Sequence, residues 1–241
     1  MPGDFYRWFS ERRLTRFGEA RKKRTEQRRL RLLMEHARQP AAMLEIGPGH
    51  GSFGALAKSS GWRYRAVEAS PALADALRAR GFDVVEAWAP PIAAADASCD
   101  AVYADQVLEH MSGIDAAREF VAEARRVLKP NGLLFIVVPD YTKERSFFWD
   151  VDYTHNFVTT ERRVGQLLLD GGFEAEATVE SIGAATGLAR DLLAAASFVP
   201  NLPGMDFLAR RTGTRELLFK VRKNLFATIE FVARKPHAGS G

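Results

Sequence analysis

The chain has 241 residues, 46% of them hydrophobic and 27% charged, with a single cysteine. That is the composition of a globular protein with room for one large domain or two small ones, and it excludes an internal disulfide framework and a Cys/His zinc finger. The net charge of +4 is unevenly placed: residues 7–31 hold eleven Arg or Lys against three Glu, which leaves 23 basic against 27 acidic residues elsewhere.

The basic character therefore belongs to an N-terminal arm, residues 1–40, and the body is mildly acidic. Within the arm, residues 5–38 read as one or two helices. Leu30, Leu33, Met34 and Ala37 fall at helical spacing on one face, after an aromatic start at Phe5, Tyr6, Trp8 and Phe9 and before Pro40. The basic residues read first as a solvated helix face. The sharper reading is an arm that touches an anionic surface such as phospholipid head groups. The start lacks a long apolar run, so no secretory signal is expected, and no run is long enough to span a bilayer. The expected setting is a reducing cytoplasm, with the arm able to meet the inner membrane face.

From Met43 strands and helices alternate. Met43–Ile46, Tyr64–Glu68, Phe82–Glu86, Asp100–Ala104 and Leu133–Val138 read as strands. Helices are expected over 52–58, 70–80 and 115–128, with an Ala/Pro-rich loop over 87–98 and a turn over 129–132. Such alternation predicts a mostly parallel sheet covered on both faces. The second half is less regular: an aromatic loop over 140–158, a helix from Thr160 to Asp170, a strand over 173–179, a helical insertion over 184–224 and a last strand over 226–233. Residues 237–241 read as a disordered tail.

The stretch with most chemistry is Leu44-Glu45-Ile46-Gly47-Pro48-Gly49-His50-Gly51. A strand ends in a glycine turn and a helix follows, which is how nucleotide sites are built. Glu68 ends the next strand, where a carboxylate can accept hydrogen bonds from both ribose hydroxyls. Glu45, Glu86 and Asp105 fall near the same edge. Two parses compete. Gly49-His50-Gly51-Ser52-Phe53-Gly54 fits the dinucleotide fingerprint, whereas Glu45-x-Gly47-x-Gly49-x-Gly51 starts where the strand ends. The second is preferred.

These runs resemble class I S-adenosylmethionine-dependent methyltransferases. Leu44–Gly51 is similar to the family's first motif and Val67-Glu68-Ala69-Ser70-Pro71 to its acidic second-strand motif. Asp100-Ala101-Val102-Tyr103-Ala104-Asp105-Gln106-Val107-Leu108-Glu109-His110 is similar to the motif ending in Leu-Glu-His, and Arg126–Leu133 to the Leu-Lys-Pro-Gly-Gly turn. The resemblance covers roughly residues 42–139. It implies an α/β, Rossmann-like fold with an antiparallel last strand over residues 41–236, and S-adenosylmethionine as cofactor. Gly47, Gly49 and Gly51 would make room for the methionine part and Glu45 would help hold it. Glu68, with Ala69 beside it, would bind ribose. Glu86, Ala87 and Trp88 would contact adenine, and Asp105 and Gln106 would line the methionine end.

If the acceptor is a hydroxyl, a base helps remove its proton. His155 is the first candidate, with Asp152 to orient it, and His110 the second. No clustered ligand set appears in the sequence, so no catalytic metal is expected. The loop 146–160 resembles, more weakly, methyltransferases of surface-polysaccharide and lipid-linked glycan pathways, which implies a sugar hydroxyl as acceptor. The insertion 184–224 is suited to a lid over it. Three other readings stand: an NAD(P)-dependent oxidoreductase using Gly49–Gly54, an RNA methyltransferase using the basic arm, and a scaffold without turnover. The mildly acidic body argues against a nucleic-acid partner. Oligomeric state is open.

Overall fold

The computed structural model describes residues 15–37 and 41–237. The aromatic start at Phe5, Tyr6, Trp8 and Phe9, Pro40, and tail residues 238–241 lie outside the described residues.

Seven strands form one sheet in the order β3-β2-β1-β4-β5-β7-β6. The strands are β1 (Ala42–Ile46), β2 (Arg63–Glu68), β3 (Val84–Glu86), β4 (Cys99–Asp105), β5 (Leu128–Pro139), β6 (Glu174–Ile182) and β7 (Ala227–Arg234). Strands β1 to β5 run parallel, and β7 runs antiparallel to both β5 and β6. This is the mostly parallel sheet that the alternation predicted, with the antiparallel last strand of the Rossmann-like fold that the resemblance implied.

Strand β5 shows why the sheet needs two cores. Its side chains alternate across the pleat. Leu134, Ile136 and Val138 enter one apolar cluster with Phe120, Val121, Ala124 and Val127 from helix α4 (Ile114–Val127). Leu133, Phe135 and Val137 enter the other, with Phe53, Tyr103, Leu30 and Leu33. Burial on both faces is what a near-continuous apolar strand records. The expected turn over 129–132 is instead part of β5: Leu128 pairs with Cys99, the register then shifts, and Leu133 pairs with Ala101. Asn131 takes the left-handed conformation at φ 64°. A Cβ on Gly132 would stand 2.9 Å from the Lys129 carbonyl oxygen, so the bulge depends on a glycine there.

The basic arm is more closely joined to the body than its charge suggests. Helix α1 (Arg16–His36) is capped by Thr15, whose side chain accepts from Gly18 N, and it buries Leu30 and Leu33 in the second core. Met34, expected on the same face, is exposed. Several of its cations turn inward: Arg28 and Arg29 both reach Glu230 in β7, and Arg21 Nη1 donates to Asn224 Oδ1 at 2.5 Å. The solvated-face reading therefore fails at these three arginines.

The irregular second half contains more helix than its composition indicated. Two short helices, α5 (Tyr141–Glu144) and α6 (Phe147–Val151), interrupt the aromatic loop before α7 (Glu161–Asp170). Between β6 and β7 lie α8 (Gly187–Ser197), α9 (Met205–Thr212) and α10 (Arg215–Asn224). Arg190 ties α8 to Glu180 of β6, and Arg222 ties α10 to Asp206 and to the Pro200 carbonyl. Phe147 meets Phe219 and Phe226 edge to face. No single helix among the described residues is long and apolar enough to cross a membrane.

Candidate active site

The parallel register puts the predicted carboxylates on one edge. Ile46 pairs with Val67 and with Ala104, and Glu68 pairs with Glu86. The glycine turn therefore emerges between Glu68 on one side and Asp105 on the other, beyond the carboxyl ends of the strands where ligands of open α/β sheets sit.

Each turn glycine has its own reason. Gly47, Gly49 and Gly51 have φ of 67°, 54° and 69°, values that side chains strain to adopt. A Cβ on Gly51 would lie 2.4 Å from Leu77 Cδ2, while one on Gly49 would meet nothing within 4 Å. Gly51 is thus demanded by packing, and Gly49 by its backbone conformation beside open space. Gly54, which belonged to the rival parse, is small because Tyr64 lies over it, with the ring carbon 2.4 Å from a Cβ built there. That is helix-to-strand packing, needed whichever ligand occupies the turn.

Glu68 is 5% exposed and held by backbone: Oε1 accepts from Ser70 N at 2.9 Å and Oε2 from Gly49 N at 3.2 Å. Burial raises its carboxyl from the ordinary range, and the two N–H donors pull it back. Ala69 is half-buried beside it. Ala87 N donates to the Glu68 carbonyl at 3.1 Å, which sets the loop after β3 against β2. Glu86 is exposed and 3.6 Å from Arg78, and Trp88 is 58% exposed.

Glu45 is the least accessible of these carboxyls to a ligand. It accepts from the Tyr64 hydroxyl, and burial pushes its pKa up to about 8 against the pull of that bond. The structure thus gives Glu45 an inward role, bracing β2 against β1.

Asp105 is joined to the arm. Arg29 Nη1 donates to Asp105 Oδ2 at 2.5 Å while Arg29 Nε donates to Glu230 Oε1 at 2.9 Å. Asp105 Oδ1 is buried without a partner among the described residues. Burial would push the Glu230 carboxyl up, but Arg28 and Arg29 outweigh it and hold it below the ordinary range. On the same helix Glu26 accepts from Ser52 Oγ at the start of α2 (Ser52–Ser59). Neither Arg29 nor Glu26 stood out in the sequence, because a basic helix looks the same whether its charges face water or a buried carboxylate. Gln106 leaves β4 in the left-handed conformation at φ 55° and is exposed.

Beyond Gln106 the chain makes a short 3-10 turn, Leu108–His110, and meets the aromatic loop. The Glu109 carbonyl accepts from Asn156 N at 2.8 Å and Phe157 N at 2.9 Å. This pins the loop so that the His110 and His155 rings lie 5.0 Å apart between centroids. His155 is buried, and its Nδ1 is 2.6 Å from the Phe148 carbonyl oxygen. A carbonyl only accepts, so Nδ1 carries the proton and Nε2 keeps a lone pair.

The same logic fixes His110. Its Nδ1 is 2.8 Å from Thr154 Oγ1 and 3.4 Å from the Thr154 carbonyl. The Thr154 hydroxyl proton is committed to Asp152 Oδ1 at 2.7 Å, so Oγ1 accepts from Nδ1. Asp152 was expected to orient His155. It instead orients His110, through Thr154, because its carboxylate also accepts from Thr154 N at 2.9 Å. Burial lowers both imidazoles from the ordinary histidine value, His110 also because His155 is beside it.

Glu109, next to His110 in the chain, is fully buried, with neither carboxylate oxygen hydrogen-bonded among the described residues. Burial raises its pKa well above the carboxylate range. One ligand atom from each of Glu109, His110 and His155 lies within 4.8 Å of the others. The 44 residues between His110 and His155 hid this cluster from any reading by spacing, which is why no ligand set was expected.

Residues 44–136 match the family model described as a methyltransferase domain. No curated protein matches the chain. Among solved structures it is similar to a candidate sarcosine dimethylglycine methyltransferase from Galdieria sulphuraria, at 16% identity and a TM-score of 0.63 over 88% of this chain and 84% of that one. It is similar to the [4+2]-cyclase SpnF at 19% identity and 0.59, over 88% and 81%. It is also similar to a Burkholderia thailandensis 1,6-didemethyltoxoflavin-N1-methyltransferase holding S-adenosylhomocysteine, at 18% identity and 0.58, over 88% and 78%. Likeness at this identity shows the fold alone, and the cyclase shows that the fold does not dictate the reaction.

Proposed function

We propose that the chain, whose residues 44–136 match a methyltransferase domain, takes S-adenosylmethionine and methylates a hydroxyl of a small acceptor, a sugar or a lipid-linked glycan. The observation that carries this reading is the pair of imidazoles at the acceptor side. Both His110 and His155 have Nδ1 engaged and Nε2 left with a lone pair.

The edge fits the cofactor. Gly49 leaves open space where a Cβ would stand, Glu68 is fixed by two backbone donors, and Asp105 Oδ1 is an orphaned acceptor. Bound there, the cofactor supplies an electrophilic methyl group on a sulfonium. The protein's task is then alignment, exclusion of water and handling of one proton. An amine acceptor uses its own lone pair, whereas a hydroxyl must lose its proton as the O–CH3 bond forms and the S–CH3 bond breaks, its electrons staying on sulfur. A neutral imidazole Nε2 receives that proton. Asp152 and Thr154 hold His110 in the required tautomer, and the Phe148 carbonyl holds His155.

Support for a sugar comes from the surroundings. Trp149 and Tyr153 are exposed on the loop that carries His155, and aromatic faces with a polar tip suit rings that are apolar on one side and hydroxylated at the rim. Exposed Leu188, Leu192, Phe198 and Phe207 on the insertion offer apolar surface to a lipid portion.

A screen with methyl-labelled donor tests this, with nucleotide sugars, lipid-linked sugars and matched amino sugars as acceptors. Label should appear in an ether. Label found only in an N-methyl product would overturn the reading.

A further inference from the structure

The arrangement around Glu109 is unusual for an acid–base pair alone. A carboxylate buried away from water is costly unless it is hydrogen-bonded, paired or bound to a metal ion. Glu109 has neither of the first two among the described residues, yet its side chain is fully buried and stands beside the two imidazoles. Two histidines and a carboxylate, each offering one donor atom within 4.8 Å of the others, are the donor set of open mononuclear sites for divalent transition-series cations. The surroundings match as well. Metal-binding imidazoles usually donate their second nitrogen to a carbonyl or a polar relay, which fixes the tautomer and ring plane. His155 does so to the Phe148 carbonyl, and His110 to Thr154 and, through it, Asp152.

We propose that Glu109, His110 and His155 bind one divalent cation of the zinc–manganese class, through one carboxylate oxygen and two Nε2 atoms, with positions left open toward the acceptor. The three donors, within 4.8 Å of one another, would close on an ion at ligand distances of about 2.0–2.2 Å. The mixed nitrogen and oxygen set favours zinc or manganese over magnesium, which prefers oxygen and water. The inference deepens the hydroxyl reading, on which its catalytic use rests: with the cation bound, the histidines would serve as ligands rather than proton acceptors, and an acceptor hydroxyl at the open position would release its proton to solvent water more easily, as metal-bound water does.

The test uses tag-free, full-length protein freed of metal with a chelator and titrated calorimetrically with Zn2+ and with Mn2+. One cation per chain is expected. Glu109→Gln and His155→Gln should each weaken binding at least ~10-fold, the scale of metal-site perturbation, while S-adenosylhomocysteine affinity stays within about twofold. No stoichiometric binding to the wild type, or binding unchanged in both variants, would overturn the site. Should the variants fail to fold, the wild type suffices. Paramagnetic Co2+ should shift the imidazole resonances of His110 and His155, and shifts confined to His36, His50 or His237 would place the ion elsewhere and sink the proposal. Cation binding is read without an acceptor. An acceptor screen that returns only amines would therefore overturn the hydroxyl reading while the metal site stands, and a null titration would do the reverse.

Discussion

The two sides of the candidate active site are built in different ways. The cofactor side is local. Strand, glycine turn and helix follow one another, and Glu68 is oriented by backbone N–H groups two residues after it and nineteen before it. The acceptor side is assembled from afar: Glu109 and His110 come from the 3-10 turn after β4, and His155 from a loop 45 positions on. A local site is specified by backbone conformation and tolerates change around it. An assembled site depends on buried polar groups satisfying one another, so the removal of one member leaves the others stranded.

The largest effect should fall on the acceptor side. His155→Ala should slow turnover by about 10²–10⁴-fold, the range for loss of a proton-handling group, and leave S-adenosylhomocysteine affinity unchanged by calorimetry. Wild-type turnover would remove His155 from the chemistry. The pH dependence has a definite sign. Burial lowers both imidazoles, so they stay neutral below the ordinary histidine value of about 6.5, and the acid limb of the rate should lie below that value. The unfolded chain takes up protons near 6.5 while the folded chain does not. The contribution of these groups to stability is therefore lost as pH falls below 6.5 toward the folded values. An acid limb above 7 would contradict the burial argument.

Arg29→Ala comes next and acts through stability. It strips a buried cation from Glu230 and Asp105 at once, and breaking one side of a buried ion pair costs about 3–5 kcal/mol. Chemical denaturation should show the loss, and Arg29→Lys should recover only part of it because a lysine cannot span both carboxylates in a fixed fork. A loss below about 1 kcal/mol would return α1 to the solvated-arm reading.

Glu68→Ala is a smaller, purely local change. Losing a charge-assisted ribose contact should weaken S-adenosylhomocysteine binding by about 1–3 kcal/mol with little effect on folding. Unchanged affinity would refute the ribose role.

What could be read from the chain follows the same division. The sheet and the glycine edge were legible because alternating periodicity and a strand-to-glycine transition are short-range signals. Even the rival parse contained a correct observation, since Gly54 is required, though by Tyr64 above it. The orientation of His155 was misread because Asp152 is near it in sequence, yet an aspartate three residues away closes a turn on Thr154 first. Glu109 was hidden inside the Leu-Glu-His motif, in which the resemblance gave it no role. Its burial follows only from the loop that folds over it and bonds its carbonyl. The arginines of α1 had a pattern that suits solvent equally well, and only their partners across the fold, Glu230 buried in the largely apolar strand β7 and Asp105 at the end of β4, give Arg28 and Arg29 an inward target.

The smallest prediction falls on the cofactor side, at the residue with least support from its neighbours. Trp88 is 58% exposed in a loop tied to β2 by the Ala87 N–H. An indole so exposed adds little to the folded state, so a ligand contact can be tested without disturbing folding. Stacking on adenine is worth about 0.5–1.5 kcal/mol beyond burial, so Trp88→Ala should weaken S-adenosylhomocysteine by roughly two- to tenfold with no change in denaturation midpoint. Trp88→Phe should keep most of the affinity, because a smaller ring still stacks. Equal losses in both variants would mean that the indole N–H matters rather than the ring face. No loss in either would move adenine recognition to the backbone at Glu86 and Ala87, and the cofactor side would then be conformational throughout.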